Sequence, residues 1–445
     1  MADYVIIGNS AGGIGAIEAI RAVDQHGSIA IVGDEPLPAY SRPAISELLC
    51  GAKSFERIVY RPESFYQQQR VATYFGRRAE RVDPAGRAVA LDDGQSLPFG
   101  RLLIATGGAP IVPPMVGTEK SGVFNFTTVR DAYGVQQRLE TVGRRVVVIG
   151  AGLIGTSVSD ALARLGAEVT VVELRDRVLS LLLDEQGSQL ACRAMEQRGV
   201  TLRCGQTVRE ILGRTDDERS VGGVIFEGGE RLACDVVIVA IGVRPRAELA
   251  AGAGIGVNRG IVVDHHMETD APGIYACGDV VEAYDFIFGG NRVVPIWPGA
   301  YMGGRVAGFN MAGHPAEWRQ ATTMNALKYF GLPIVSAGEI NVDGEPGYEV
   351  LRSLDHGYKK IVLKEGRLVG FVFAEDIERA GIVFALLRQG VVVDSVKEAL
   401  IGADFDLIKL PHDFRRAQYD AATRDRRVDG TASGMTNQPA ARHPA

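Results

Sequence analysis

Two segments of the chain carry small residues at the spacing that binds a pyrophosphate group. Their small residues are Gly8, Ser10 and Gly13 in the first segment and Gly150, Gly152 and Gly155 in the second. In this pattern the first position permits a tight turn, the second lets the backbone approach the phosphates, and the third lets a helix pack on its strand. The start of that helix offers free N–H groups and a positive dipole end. We therefore expect two dinucleotide sites, the first with Ser10 in place of the middle glycine.

Acidic residues follow both segments at the distance expected for a ribose contact. Asp34 and Glu35 follow the first segment, and Glu173 follows the second. A carboxylate at this point accepts hydrogen bonds from the ribose hydroxyls of the adenosine half. Glu173 suits a free 2'-hydroxyl and repels a 2'-phosphate, so we expect the second site to favour NADH over NADPH. Arg175 leaves the alternative open, because a guanidinium at this position could pair with a phosphate.

The elements that position these residues occur twice. Two sequences each indicate a buried strand, a glycine-rich turn and an amphipathic helix: YVIIGNSAGGIGAIEAIRAV from Tyr4, and RVVVIGAGLIGTSVSDALARLG from Arg145. Another β-branched strand follows each of them and ends at the acidic residues. Two βαβ units result, and a length of 445 residues indicates two or three domains.

Composition and charge exclude several classes of protein. The chain is 46% hydrophobic and 23% charged, which is ordinary for a globular protein. A net charge of -6, a pI near 5.8 and dispersed basic residues argue against a nucleic-acid partner. The apolar stretches have the length of strands, so we expect no membrane segment. The N-terminus lacks the basic region and cleavage site of a secretory signal, so the expected location is the cytoplasm.

The cysteine and histidine residues lack the spacing of metal ligands. The cysteines are widely separated, at Cys50, Cys192, Cys204, Cys234 and Cys277. No C-x-x-C pair is present to hold zinc or an iron–sulfur cluster, and no close dithiol is present to carry electrons. The pair His265 and His266 lies in a turn-like stretch. The sequence therefore predicts no metal site.

Further strand ends carry small residues or an acid. Thr106 and Gly107 follow one apolar strand, Gly242 follows a second, and Gly278 with Asp279 follows a third. With the two βαβ units, these motifs resemble the FAD-dependent pyridine nucleotide oxidoreductase superfamily over about residues 3 to 410. The resemblance implies an α/β fold with two Rossmann-like dinucleotide-binding domains, in which an inserted NAD domain splits the FAD domain. It also implies a small α+β C-terminal interface domain.

The resemblance assigns FAD to the first segment and NAD(H) to the second. It implies that Asp279 hydrogen-bonds the ribityl chain of the flavin and that Arg42, in PAYSRPAIS, lies against FAD. A helix that starts near Pro298 to Ala300 directs its positive end at the isoalloxazine, which stabilises anionic reduced flavin by ~0.3 to 2 kcal/mol. The implied FAD contacts are Gly8, Ser10, Gly13, Asp34, Glu35, Arg42, Thr106, Gly107, Gly278, Asp279, Pro298 and Ala300. The implied NAD contacts are Gly150, Gly152, Gly155, Glu173 and Gly242.

Several positions depart from the patterns of this superfamily. Disulfide reductases carry a C-x-x-x-x-C pair, and related single-cysteine members carry their cysteine where this chain has Ala44. Cys50 lies six residues later and is expected to pack as a small apolar residue. Ferredoxin reductases place a lysine where this chain has Glu47, and many members place a glutamate where it has Ser157. Glu47 is expected either to face solvent at a helix start or to lie near flavin N5.

The resemblance also implies domain boundaries. The FAD-binding domain comprises residues 1–115 and 243–320, the NAD-binding domain residues 116–242, and the C-terminal interface domain residues 321–412. Within the last of these, YKKIVLKEGRLVGFVFAEDIERAGIVFALLRQG predicts two strands joined at Glu365-Gly366 and then a helix. Residues 413–445 are polar and are predicted to form a disordered tail.

The lack of a thiol pair directs the functional hypothesis to an external electron carrier. FAD accepts a hydride and releases single electrons, so a ferredoxin-like, rubredoxin-like or other iron–sulfur partner is the natural acceptor. The segments DYVIIGNSAGGIGAIEAIR and AYSRPAISELL resemble the FAD-containing NADH subunits of multisubunit iron–sulfur oxidoreductases, such as phenylglyoxylate dehydrogenase and tungsten aldehyde oxidoreductases. This resemblance implies a hetero-oligomer or homodimer. Two alternatives remain open: a stand-alone NADH oxidase or rubredoxin or ferredoxin reductase, and a redox-sensing protein that holds FAD and NADH as a stable complex.

Overall fold

The computed structural model describes residues 2–319 and 321–402, together with Phe405, Ile408, Leu410, Arg415 and Arg416. The predicted tail, residues 413–445, lies outside the described residues except for Arg415 and Arg416. No helix in the described part of the chain has the length and hydropathy needed to cross a membrane.

The chain begins with most of the first dinucleotide-binding domain. Its elements are β1 (Ala2–Ile7), α1 (Ala11–Val23), β2 (Ile29–Gly33), α2 (Ile45–Leu49), α3 (Phe55–Ile58), α4 (Glu63–Gln68), β3 (Val71–Phe75), β4 (Ala79–Asp83), β5 (Ala88–Leu91), β6 (Ser96–Ile104) and β7 (Gly108–Pro110). The sheet order is β3-β2-β1-β6-β5-β4. Strands β3, β2, β1 and β6 are parallel, whereas β4 and β5 pair in antiparallel fashion beside the first half of β6.

The second dinucleotide-binding domain follows without interruption. Its elements are β8 (Val123–Phe124), α5 (Val129–Thr141), β9 (Arg145–Ile149), α6 (Leu153–Arg164), β10 (Glu168–Glu173), α7 (Glu185–Glu196), β11 (Thr201–Cys204), β12 (Val208–Gly213), β13 (Val221–Phe226), β14 (Arg231–Ala233) and β15 (Val236–Val239). A parallel five-stranded sheet has the order β11-β10-β9-β15-β8, and β12, β13 and β14 form a separate antiparallel sheet.

The chain then returns to the first domain. Its elements are β16 (Val243–Pro245), α8 (Glu248–Gly252), β17 (Ile261–Val262), β18 (Ile274–Ala276), β19 (Val281–Asp285), β20 (Gly290–Arg292) and α9 (Trp297–Met311). Strand β16 pairs with β7, and β18 pairs in parallel with the second half of β6, with Ile274 opposite Leu102. The first domain is therefore completed only after the second has been traversed.

Helices α1 and α9 pack closely because glycines line their contact. A Cβ atom built on Gly304 would lie 2.0 Å from the carbonyl oxygen of Gly12, and one built on Gly308 would lie 2.5 Å from that of Ala16. No side chain fits at these two positions. The contact holds the start of α1 and the start of α9 at the same end of the first sheet.

The C-terminal part of the described chain is an antiparallel sheet with helices on one face. Its elements are β21 (Met324–Tyr329), β22 (Leu332–Gly338), β23 (Tyr348–Ser353), β24 (Tyr358–Lys364), β25 (Arg367–Ala374), α10 (Ala380–Gln389) and α11 (Lys397–Ile401). The order is β21-β22-β25-β24-β23, so the two strands predicted around Glu365-Gly366 are β24 and β25. One face packs on α10 and α11, and the other joins the core of the second dinucleotide-binding domain. The predicted α/β fold class is confirmed.

A buried ionic cluster joins this sheet to the second dinucleotide-binding domain. The Asp184 side chain accepts hydrogen bonds from the Gly187 N–H at the start of α7 and from the Tyr358 hydroxyl. The fully buried Lys360 ammonium lies 3.1 Å from Asp184 and 2.8 Å from Asp343. Because each buried charge has an opposite charge within contact, the cluster fixes one domain against the other.

Candidate dinucleotide-binding site

The first glycine-rich segment forms the turn between β1 and α1. Gly8 has φ +121°, and a Cβ atom there would lie 2.0 Å from the carbonyl oxygen of Ala105. A Cβ atom on Gly13 would lie 2.1 Å from the carbonyl oxygen of Gly8. Ser10 is the N-cap residue of α1. These contacts require glycine at both positions and place the helix start directly beyond the strand end.

The other FAD residues predicted near this turn lie at the same edge of the sheet. Thr106 and Gly107 directly follow Ala105 at the end of β6, and Gly107 has φ +71°. Gly278, with φ +82°, follows β18, and its built Cβ atom would lie 3.3 Å from the Cβ atom of Ala300. Pro298 and Ala300 are in the first turn of α9, which begins at Trp297. Residues from both halves of the split domain therefore meet around the turn from Gly8 to Gly13. We call this turn, with the residues that surround it, the first cradle.

The two acids after β2 are both paired with arginines. Glu35 accepts hydrogen bonds from the Tyr40 hydroxyl at 2.8 Å and from the Arg42 guanidinium at 2.5 Å. Arg42 also donates to the carbonyl oxygen of Thr127 at 2.8 Å. Asp34 lies 3.1 Å from the guanidinium of Arg246. The two carboxylates and the two guanidinium groups thus lie together just beyond the end of β2, the neighbour of β1 in the sheet.

Asp279 is a partly buried acid in the short turn Gly278–Val280, which follows β18. Burial raises its pKa to about 6, and the positive charge of Arg42 opposes this rise. Among the described residues, no side chain donates a hydrogen bond to Asp279. A partly buried acid that lacks a protein donor suits a ligand with hydroxyl groups. With the glycine cradle, it fits the ribityl diphosphate portion of FAD.

The second glycine-rich segment forms the turn between β9 and α6. Gly150 has φ +103°, and a Cβ atom there would lie 2.5 Å from the carbonyl oxygen of Ala240. A Cβ atom on Gly155 would lie 1.9 Å from the carbonyl oxygen of Gly150. Gly152 is the N-cap of α6, and no atom lies within 4 Å of its built Cβ position. The surface over Gly152 is therefore open.

Glu173 reaches back from the end of β10 to this turn. Its carboxylate accepts a hydrogen bond from the Ala151 N–H at 2.7 Å and one from the Arg175 N–H at 2.9 Å. These two bonds fix the carboxylate beside the second glycine-rich turn. Gly242, with φ +122°, lies just beyond β15, the neighbour of β9 in the sheet. The predicted NAD residues are thus also brought together around the turn from Gly150 to Gly155, which we call the second cradle.

The positions that depart from the superfamily pattern have ordinary partners. Glu47 forms an ion pair with Lys53 at 2.5 Å, and both side chains are 42% exposed. This geometry supports the first of the two expectations for Glu47, a solvent-facing residue at the start of α2. The Ser157 hydroxyl donates to the Ser46 hydroxyl at 2.9 Å, which links α6 to α2.

All five cysteines are free thiols. Cys277 is fully buried behind α1, and burial raises the pKa of its thiol to about 12. Cys50 is partly buried, where its thiol contacts the carbonyl oxygen of Glu47 and the Arg164 guanidinium. No group of three or more potential metal-binding side chains occurs in the described part of the chain. The geometry therefore contains nucleotide cradles and no thiol pair.

Two residues at the first cradle escaped the sequence analysis. Arg246, which reaches Asp34, follows β16 and belongs to no recognised motif. Trp297 begins α9. Its ring meets the Tyr60 ring edge-on, with the ring centroids 4.9 Å apart, and lies parallel to the Tyr301 ring, with the centroids 6.3 Å apart. The Pro298 that follows Trp297 was a usable signal for a helix start. No local pattern signalled the contact of Arg246, because its partner lies in a distant part of the sequence.

Two family descriptions match this chain. Residues 2–304 match Pyridine nucleotide-disulphide oxidoreductase, and residues 324–391 match the Rubredoxin NAD+ reductase C-terminal domain. A solved structure with a similar fold is the ferredoxin reductase for the CYP199A2 system from Rhodopseudomonas palustris. It has a TM-score of 0.81 and 26% sequence identity, and the match covers 92% of this chain and 99% of that chain.

Curated relatives are similar over most of this chain. The assimilatory nitrate reductase electron transfer subunit of Bacillus subtilis is 31% identical over 389 residues, which are 86% of this chain and 49% of the relative. The epsilon subunit of NADH-dependent phenylglyoxylate dehydrogenase of Aromatoleum evansii is 31% identical over 382 residues, which are 85% of this chain and 87% of the relative. The chain thus spans about half the length of the first relative and most of the second.

Proposed function

Because the chain belongs to the pyridine nucleotide-disulphide oxidoreductase family, we propose that it transfers electrons between NAD(H) and an iron–sulfur partner protein. It is an enzyme of this family, whose members bind FAD and use NAD(H). The proposal extends the family activity to an electron acceptor, or donor, outside this chain.

The residues of the first cradle would hold FAD. The turn from Gly8 to Gly13 offers backbone N–H groups at the start of α1 for the pyrophosphate. Asp279 would accept hydrogen bonds from the ribityl hydroxyls, and Arg42 would supply positive charge beside them. The start of α9 at Trp297 would place a positive helix end near the isoalloxazine. Bound FAD would supply the ability to take two electrons from NADH and to release them one at a time.

The residues of the second cradle would hold NAD(H). The open surface over Gly152 would receive the pyrophosphate, and the fixed carboxylate of Glu173 would receive the ribose hydroxyls. A 2'-phosphate would meet this carboxylate at close range, which supports a preference for NADH. Arg175 donates its backbone N–H to Glu173, and its side chain is exposed.

The observation that carries the proposal is the chemistry of the cysteines. The chain has five cysteines in all, and they occur as separate free thiols. Cys277 is buried behind α1 with its thiol pKa raised, so it stays protonated, and a thiol rather than a thiolate is a poor nucleophile. Electrons that reach this site therefore have no thiol pair on the same chain to receive them. A separate one-electron carrier is the acceptor that this chemistry favours.

We further propose that the partner is an iron–sulfur subunit of a larger dehydrogenase, of the phenylglyoxylate or aldehyde type, from which the chain reduces NAD+. The similarity to a phenylglyoxylate dehydrogenase subunit over 87% of that relative's length supports this assignment. The C-terminal sheet, with α10 and α11 on its outer face, is the proposed region for assembly into a hetero-oligomer or homodimer.

Anaerobic titration with NADH tests the proposal. The purified protein should contain FAD, lose its visible flavin absorption on reduction by NADH, and regain it when an oxidised ferredoxin or rubredoxin is added. Oxygen and disulfide substrates should reoxidise it far more slowly. A Cys50→Ser variant is the control, and it should behave as the parent does.

Three outcomes would count against the proposal. Fast turnover with oxygen alone would favour an NADH oxidase. A long-lived reduced complex that no carrier reoxidises would favour a redox sensor. Loss of activity in the Cys50→Ser variant would indicate that the Cys50 thiol takes part in electron transfer.

A further inference from the structure

The side chain of Arg246 connects two strand ends that lie on opposite sides of β1. Its backbone is fixed beside the end of β6, where its N–H donates to the Gly107 carbonyl oxygen at 2.9 Å and its own carbonyl accepts from the Thr106 hydroxyl at 2.9 Å. Its guanidinium lies 3.1 Å from Asp34, just after the end of β2. Strand β1 lies between β2 and β6 in the sheet. The Arg246 side chain therefore spans the end of β1, where the turn from Gly8 to Gly13 begins.

We infer that Arg246 is an additional cofactor-binding residue that closes over the adenosine diphosphate half of FAD and is held there by Asp34. This inference rests on the proposed binding of FAD at the first cradle. Neighbouring strands are about 4.8 Å apart, so a side chain that joins β6 to β2 crosses about twice that distance above the turn. A dinucleotide whose pyrophosphate lies on the turn must pass beneath or against this guanidinium.

The chemistry of the pair suits this role. A guanidinium offers several donors in one plane and pairs with phosphate through two parallel hydrogen bonds. Asp34 neutralises the cation and limits its position, and both side chains keep substantial exposure, 40% for Arg246 and 54% for Asp34. An exposed ion pair of this kind contributes little to folding. Its position over the turn is therefore better explained by binding than by stability.

Arg246 also connects the two halves of the split domain. It follows β16, the strand that returns the chain from the second dinucleotide-binding domain, whereas Asp34 belongs to the first half. Closure over the cofactor thus joins segments that are 212 positions apart in sequence. Release of FAD from the site would require this pair to open.

Release of FAD from the holoprotein tests the inference. Wild-type, Arg246→Gln and Arg246→Lys proteins are diluted serially, and the liberated FAD is measured by its fluorescence. We expect the Kd for FAD to rise about 10- to 100-fold in Arg246→Gln, because a charge-assisted contact is lost, and to rise less in Arg246→Lys. The visible spectrum of the flavin that stays bound should not change, because the isoalloxazine lies at the other end of FAD.

Arg244→Gln is the matched control. Arg244 lies two residues earlier, in β16, and its exposed guanidinium pairs with Glu248 instead of the cradle. This variant loses the same charge and should keep the Kd for FAD within about twofold of the wild-type value.

Two results would overturn the inference. A Kd for Arg246→Gln within twofold of wild type would remove Arg246 from the cofactor site. An altered flavin spectrum in that variant would place its effect at the isoalloxazine and not at the adenosine half. If the wild-type protein fails to bind FAD, the proposed function itself is refuted.

Discussion

We expect the carboxyl of Asp279 to lower the stability of the flavin-free protein at neutral pH and, in the holoprotein, to strengthen the binding of FAD. Burial raises its pKa to about 6 from an ordinary value of 3.8, so the folded protein without flavin binds this proton more tightly than the unfolded chain does. A group whose folded pKa is raised contributes stability below the unfolded pKa, and that contribution is lost as the pH rises through the folded pKa. For Asp279 the loss falls between about pH 4 and pH 6. Above this window, folding must bear the cost of an ionised, partly buried acid.

The size of this cost follows from the shift. Each pKa unit corresponds to about 1.4 kcal/mol, so a shift of roughly two units corresponds to about 3 kcal/mol at neutral pH. An Asp279→Asn variant has no charge to lose. In the flavin-free state, we expect it to match the wild type below pH 4 and to exceed the wild type in free energy of unfolding by up to about 3 kcal/mol at pH 7. The same substitution should weaken FAD binding, because the amide is a poorer acceptor for ribityl hydroxyls.

Urea unfolding of the flavin-free full-length protein from pH 4 to pH 8 measures the first effect, and release of FAD from the holoprotein measures the second. Asp355→Asn is the control for a lost surface carboxylate, because Asp355 is exposed in a turn of the C-terminal sheet. The stability difference between the Asp279 variant and wild type should change with pH, whereas the difference for the control should stay flat. A pH-independent difference, or unchanged FAD retention, would refute the reasoning.

Two further predictions concern the second cradle and the domain contact. Glu173→Ala should raise the KM for NADH and lower the ratio of kcat/KM for NADH to kcat/KM for NADPH, because the fixed carboxylate that suits a 2'-hydroxyl is lost. Steady-state kinetics with both nucleotides measures this ratio. An unchanged ratio would contradict the assigned preference. Lys360→Met should lower the free energy of unfolding by up to about 3 kcal/mol, because the buried Asp184 would keep only the more distant Arg352 guanidinium, at 3.6 Å, as its cation. Lys364→Met, at the exposed end of β24, is the control in chemical denaturation, and equal losses in the two variants would exclude a special role for the buried cluster.

The sequence predicted the parts of the site that depend on local pattern. The glycine spacing predicted the turns at Gly8 and Gly150, and both have the positive φ angles that favour glycine. The close contacts of these two glycines with Ala105 and Ala240 come from distant strands, and the local pattern did not show them. The carboxylate of Glu173 lies one strand away from its turn within a single βαβ unit, so spacing alone located it. The two strands around Glu365-Gly366 were likewise evident from alternation and a turn.

Contacts between distant segments could not be read in this way. The pairing of Arg246 with Asp34 depends on where β16 returns to the first domain, which no local pattern encodes. The partners of Lys360 are the N-cap residue of α7 and a residue of the loop between β22 and β23. Its complete burial therefore could not be predicted from a segment with the pattern of an ordinary charged strand. The ion pair of Glu47 with Lys53 could have been anticipated from opposite charges near one short helix.

The parallel pairing of β18 with β6 has a consequence for biosynthesis. As the chain leaves the ribosome, every strand of the inserted domain is available before Ile274 can join its neighbour Leu102. Pairing across so long a separation is slow, because the intervening chain must first be brought into a closed loop. A compact insert shortens the effective span of that loop, so early completion of the inserted domain should help the surrounding sheet to close. The first cradle, which includes Gly278 and the start of α9, is therefore completed only after the inserted domain has been synthesised.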